Sequence, residues 1–127
     1  TGPVVGVMPG DAVMHGRPVG RGYVHLQETV HHPWGPMDAA TTLRGHEFHH
    51  SSLDNLDSTV PFAYRVQRGH GVDGANDGLV VHNLLASYSH LRSAAGTHWA
   101  SRFVDFVRRE REAVHRYQTP IFVESTP

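Results

Sequence analysis

The sequence predicts an α/β fold in which a mixed, largely antiparallel sheet is joined to one C-terminal helix. Three observations lead there. Short apolar runs rich in β-branched residues recur along the chain, the longest being Leu79 to Ala86. The Gly/Asn/Asp-rich stretch Arg68 to Gly78 connects that run to the alternating segment Pro61 to Gln67, which makes the two antiparallel neighbours. Trp99, Phe103, Phe106, Val107 and Val114 recur near multiples of a helical turn.

Pro3 to Met8 is a β-branched run stopped by Pro9-Gly10 and reads as a buried strand. Because the chain opens almost inside this element and without an initiating methionine, it is expected to be a piece of something longer. In Arg17 to Gln27, Val19, Arg21, Tyr23 and His25 alternate with Gly20, Gly22, Val24 and Leu26, which predicts a strand bulged at its glycines. Glu28 to Thr41 holds His32-Pro33-Trp34-Gly35-Pro36, a composition that forbids regular structure and predicts a long loop. Arg44 to Ser52 and Pro61 to Gln67 read as strands. Asn76-Asp77-Gly78 is a turn signal, and Leu79 to Ala86 after it reads as a strand buried on both faces.

That strand is expected to end at Tyr88 and His90, two residues apart and so on one face, where catalytic groups of α/β sheets cluster. Beyond it, Thr97 suits a helix N-cap. The helix's other side, with Arg102, Arg108, Arg109, Glu110, Arg111 and Glu112, reads as a solvated mixed-charge face. Thr119-Pro120 ends the helix. The expected organisation is one domain over residues 1–117 and a flexible tail over 118–127.

Composition narrows the function. With 127 residues, 39% hydrophobic content and a net charge of −1, the chain reads as a globular domain. Its largest basic cluster, Arg108 to Arg111, is interrupted by Glu110, which argues against a nucleic-acid footprint. No apolar run approaches the roughly 20 residues that span a bilayer, and no signal peptide opens the chain, so a soluble, cytoplasmic protein without a membrane partner is expected. The chain has no cysteine, which excludes thiolate metal sites and a thiol nucleophile within it.

His46-Glu47-Phe48-His49-His50 matches H-E-x-x-H, which on a helix puts two imidazoles on one zinc ion with the glutamate as base. Here Gly45 precedes it, Ser51-Ser52 follow, and no helical apolar stripe surrounds it. As a strand it would hold His46 and His50 about 13 Å apart, too far to share a metal, with Glu47 and His49 on the other face. A zinc hydrolase therefore stands as a minor alternative.

The blocks PVVGVMPGDAVMHGRPVGRGYVHL, RGHEFHHS and DGLVVHNLLASYSHL, in that order, resemble the cobyrinate a,c-diamide synthase family of cobalamin biosynthesis. These ligases join an ATP-dependent amidoligase domain to a C-terminal glutaminase of the class I amidotransferase type. The resemblance implies that this chain is the C-terminal half of such a glutaminase. It makes His90 the base that activates a cysteine thiol, with Tyr88, Glu47 and His49 lining the site. It further implies ATP and magnesium in the full-length enzyme, none of them on this chain. Glutamine and a tetrapyrrole would be the substrates, and the upstream half of the glutaminase and the ATP-binding domain the partners. The family's cysteine lies upstream of the first block, so the chain alone is expected to be inactive. Where many class I glutaminases carry a carboxylate two residues past the histidine, Arg92 stands here, and no third triad member is named. The alternative from another class is a non-catalytic binding or regulatory module on the same half-fold.

Overall fold

The clearest alternation in the sequence becomes the middle of the main sheet. The computed structural model describes residues 2–3, 7–38, 40–92 and 98–118. Its strands are β1 (Gly2–Pro3), β2 (Asp11–Met14), β3 (Gly20–Glu28), β4 (Thr42–His49), β5 (Ser51–Asp54), β6 (Phe62–Arg68), β7 (Asn76–Val81), β8 (Leu84–Ala86) and β9 (His90–Leu91), followed by helix α1 (Trp99–Gln118). The order β8-β7-β6-β3-β4-β9 makes a six-stranded sheet, and β1-β2-β5 a three-stranded one. The pairings among described residues are antiparallel, so the fold is the α/β arrangement of antiparallel sheets and C-terminal helix that the sequence predicts.

Strand period fixes the core. Val24 and Leu26 of β3, Leu43 of β4 and Tyr64 of β6 share the inward face, Ala63 is buried beside Tyr64, and all five are at most 3% exposed. Fully burying a valine or leucine side chain contributes about 1.5–3 kcal/mol. The alternate residues Arg21 and Tyr23 of β3 and Arg44, His46 and Phe48 of β4 face out.

The connection from β8 to β9 dictates the shape of the sheet. Only Ser87, Tyr88 and Ser89 separate Ala86 from His90, and an extended chain covers about 14 Å over four residue steps. In a flat sheet the outer strands of six would stand about 24 Å apart. The sheet is therefore strongly curled, and residues 87–89 form a seam that brings its two edges together.

Several expectations change. Leu79 to Ala86 is not one strand but a hairpin: His82, at φ 52°, and Asn83 turn the chain, with Val81 paired to Leu84 and Leu79 to Ala86. Asp77, Gly78 and Leu79 are buried, whereas Leu84 on the outer strand is 39% exposed. Asn76 to Gly78 lies inside β7 rather than in the turn before it. The irregularity in β3 falls between His25 and Leu26 against β6 rather than at the glycines. The segment 44–52 is a strand only to His49, since the chain bends at His50 and enters the small sheet at Ser51. His46, Glu47 and His49 thus lie on a strand, so the helical setting that H-E-x-x-H zinc binding needs is replaced by β4. Val7 to Gly10 is turn and bend, and residues 4–6 of the expected first strand, Thr97 and residues 119–127 of the expected tail lie outside the described residues.

Helix α1 is fixed by an ion pair that its sequence pattern hides. Arg102, expected in solvent, makes a two-pronged contact with buried Glu28: Nη1 donates to Oε2 at 2.7 Å and Nη2 to Oε1 at 2.8 Å. Nη2 also donates to the Gly35 carbonyl at 2.6 Å. The apolar stripe contributes less than its spacing suggests: Phe106 is buried, while Phe103, Val107 and Val114 remain 44–50% exposed.

Candidate active site

Alternation along β4 splits the expected site residues between the two faces of the sheet. Glu47 and His49 point inward and His46 points outward. Tyr88 follows the inner pair and His90 the outer histidine, so Tyr88 and His90 do not share a face. The expectation that they would assumed a continuous strand, but Tyr88 and Ser89 lie in a bend and β9 begins only at His90.

On the inner side Glu47 is 3% exposed, and its carboxylate is surrounded by donors. The His70 amide donates to Oε1 at 2.6 Å, the Gly71 amide to Oε2 at 2.9 Å, and His49 Nε2 bonds Oε2 at 3.0 Å. Burial by itself pushes the pKa of this carboxyl up, but the hydrogen bonds from His70, His49 and Gly71 outweigh it and hold the group below the usual carboxylate range. His49 Nδ1 bonds the Ser51 carbonyl at 2.9 Å, so both ring nitrogens face acceptors. The Tyr88 ring stacks on His49 at 3.8 Å and 10°, and its hydroxyl shares a 2.9 Å hydrogen bond with Ser51 Oγ. Gly20 is required beneath this group, because a Cβ there would run into His49 Nε2 and the Glu47 carboxylate.

On the outer side His90 pairs with His46 across the β4–β9 ladder, and the two rings stack at 5.3 Å and 16°. Gly45 permits this approach, since a Cβ would meet the His90 carbonyl. The two histidines belong to an open concave surface of about 840 Å³ that also includes Arg21, Tyr23, Arg44 and Phe48. His90 is solvent-exposed there. An imidazole so placed can exchange a proton with a nucleophile brought to that face. Glu47 does not orient it, because both Glu47 oxygens are engaged on the opposite side of β4.

The residue that sequence reasoning missed is Asp77. It is fully buried, and its carboxylate accepts hydrogen bonds from the Gly78 and Tyr88 amides at Oδ1 and from Ser87 Oγ, the Ser89 amide and Ser89 Oγ at Oδ2. It therefore holds the seam that carries Tyr88 and leads into His90. Its partners follow from the β7–β8 hairpin: the turn at His82-Asn83 sets Leu79 opposite Ala86, and continuing that register sets Asp77 level with Tyr88.

A curled antiparallel sheet that presents a histidine at the head of its last strand is the frame into which the sequence comparisons fit. Residues 1–97 match the family model of the CobB/CobQ-like glutamine amidotransferase domain, and the chain belongs to that family. Within it, the chain is similar to cobyrinate a,c-diamide synthases. The one from Magnetococcus marinus is 40% identical over 105 residues, covering 83% of this chain and 22% of that protein. That from Halobacterium salinarum is 38% identical over 91 residues, 72% of this chain and 20% of the relative, and that from Methanosarcina barkeri 38% over 72 residues, 57% and 15%. The chain thus spans about a fifth of the length of these relatives. No solved structure matches it.

Proposed function

We propose that this chain is part of the glutamine-hydrolysing domain of an ATP-dependent, cytoplasmic amidoligase that amidates acetate side chains of a tetrapyrrole, with His90 as the catalytic base. The observation that carries the reading is the position of His90: exposed at the head of β9, stacked on His46, and facing an open concavity within a chain of the glutamine amidotransferase family. Tyr88, Glu47 and His49 act from behind β4, where they support the strand rather than touch glutamine. Residues 1–117 belong to the glutaminase domain in this reading, with Gln118 the last residue of α1.

His90 would take the proton of a cysteine thiol, and the thiolate would add to the amide carbon of glutamine. Collapse of the tetrahedral adduct expels ammonia, which leaves with the proton held by His90, and water then hydrolyses the thioester to glutamate. The sequence has no cysteine, so the nucleophile belongs to polypeptide outside these 127 residues. ATP and magnesium are assigned there too, since the chain has no lysine and no phosphate-cradling G-x-x-x-x-G-K-[ST] loop. Ammonia release is the test. The isolated chain is expected to show none, a polypeptide that joins it to the cysteine-bearing remainder is expected to turn over, and His90→Ala in that polypeptide should lower kcat by on the order of 10³. Wild-type rates in the substituted protein would remove His90 from the chemistry; absence of glutaminase activity in the joined polypeptide would favour a binding module.

A further inference from the structure

We propose that Asp77 is a positioning residue for His90: it latches the seam at residues 87–89 so that the imidazole is presented on the open face of the sheet. The inference rests on His90 being the base, and it assigns a task to a carboxylate that is 0% exposed.

The geometry is specific. Asp77 Oδ1 accepts from the Gly78 amide at 2.8 Å and the Tyr88 amide at 3.1 Å. Oδ2 accepts from Ser87 Oγ at 3.0 Å, the Ser89 amide at 3.0 Å and Ser89 Oγ at 2.6 Å. Apart from its own neighbour Gly78, all these donors come from the three seam residues. A carboxylate offers about four lone-pair sites, so this one is saturated by the seam. The shortness of that segment explains why a latch is needed: three residues must connect the two edges of the six-stranded sheet, and β9 itself is only His90–Leu91. Two ladder positions, Gly45 to Leu91 and His46 to His90, are a weak hold on a strand that carries the base. Asp77 fixes the backbone at Tyr88 and Ser89, and Tyr88 clamps the same point from the other side through His49 and Ser51. An amide at position 77 would turn one oxygen into a donor facing other donors, which opens the seam without changing side-chain size.

The test compares Asp77→Asn, the double variant Ser87→Ala/Ser89→Ala, and Glu28→Gln, which weakens the remote helix anchor and reports a purely global loss of stability. In the 127-residue chain, both seam variants should speed amide exchange at Tyr88 and Ser89 by about tenfold or more and weaken the NOE between the His46 and His90 rings, while Glu28→Gln leaves both unchanged. In the polypeptide joined to the cysteine-bearing remainder, the seam variants should lower kcat by about tenfold with KM for glutamine within about twofold of the parent. If Asp77→Asn does not fold, the double variant decides alone. Unchanged exchange and NOE in the seam variants, or an equal change in Glu28→Gln, would overturn the positioning role. A loosened seam with parental kcat would confirm the latch and count instead against His90 as the base.

Discussion

Glu28 and Glu47 are both buried carboxylates on the inward side of the main sheet, yet they are satisfied in opposite ways. Glu28 meets a guanidinium from a residue 74 positions away, the Met37 amide at 2.8 Å and the His32 ring at 3.5 Å. Glu47 meets two backbone amides and the imidazole two residues along its own strand. An arginine fork joins distant elements, so the first cluster is the bolt between α1, the 29–41 loop and the sheet. Amides at the head of a turn and a stacked imidazole fix local shape, so the second supports the strand behind the candidate site. The difference teaches that burial of a carboxylate does not by itself mark a functional group; the reach of its partners says what it holds together.

The largest effect should come from unbolting the helix. Arg102→Met leaves Glu28 buried without its cation and is expected to cost about 3 kcal/mol in denaturant unfolding, while the NMR signals of Tyr88 and His49 stay in place. If those signals move as much as the ones from α1, the two clusters are not independent.

The next effect separates the clusters by pH. Burial pushes the His32 ring down to about 4, with Glu28 pulling it partly back up and Arg102 adding to the depression. Folded His32 therefore stays neutral while the unfolded residue takes up a proton near its ordinary value of 6.5. Its contribution to stability is complete above that value and is lost as pH falls towards 4, by about 2–3 kcal/mol in all. Glu28 and Glu47 are both held below the usual carboxylate range, the hydrogen bonds around each outweighing burial, so their contributions are lost only at lower pH still. Chemical unfolding followed from pH 7.5 to 4 should show the loss in the parent and its absence in His32→Asn; the same slope in both would assign it elsewhere.

The smallest effect is local. Glu47→Gln keeps an acceptor for only one of the His70 and Gly71 amides and loses the charge that faces His49, and should cost about 1–2 kcal/mol, less than Arg102→Met. Its signature should be a changed His49–Tyr88 stacking NOE with α1 undisturbed. A larger cost than that of Arg102→Met would reverse the ranking of the two clusters.

Much of the fold was legible because strand period and turn chemistry are local. The alternation of Tyr23, Val24, His25 and Leu26 gave the faces of β3 correctly, and the Gly/Asn/Asp stretch gave the β6–β7 hairpin. The strand reading of His46 to His49 held for the same reason, and with it the placement of Glu47 and His49 opposite His46. The turn at His82-Asn83 was not legible as such, because neither residue is a glycine and apolar residues flank it on both sides. Missing that turn hid the pairing of β7 with β8 and, with it, the partners of Asp77.

By itself the sequence determined the element types, the faces of the central strands, the family of the chain and the suspicion that falls on His90, since each depends on spacing along the chain or on blocks of neighbouring residues. Only the tertiary structure decided that Arg102 is a bolt rather than a surface charge, that Tyr88 and His90 stand on opposite faces, and that Asp77 holds the seam. The physical reason is the same in all three cases. Partners 74 residues apart, or brought level by an unsignalled hairpin or by the curling of a six-stranded sheet, leave no periodic trace in the chain that forms them.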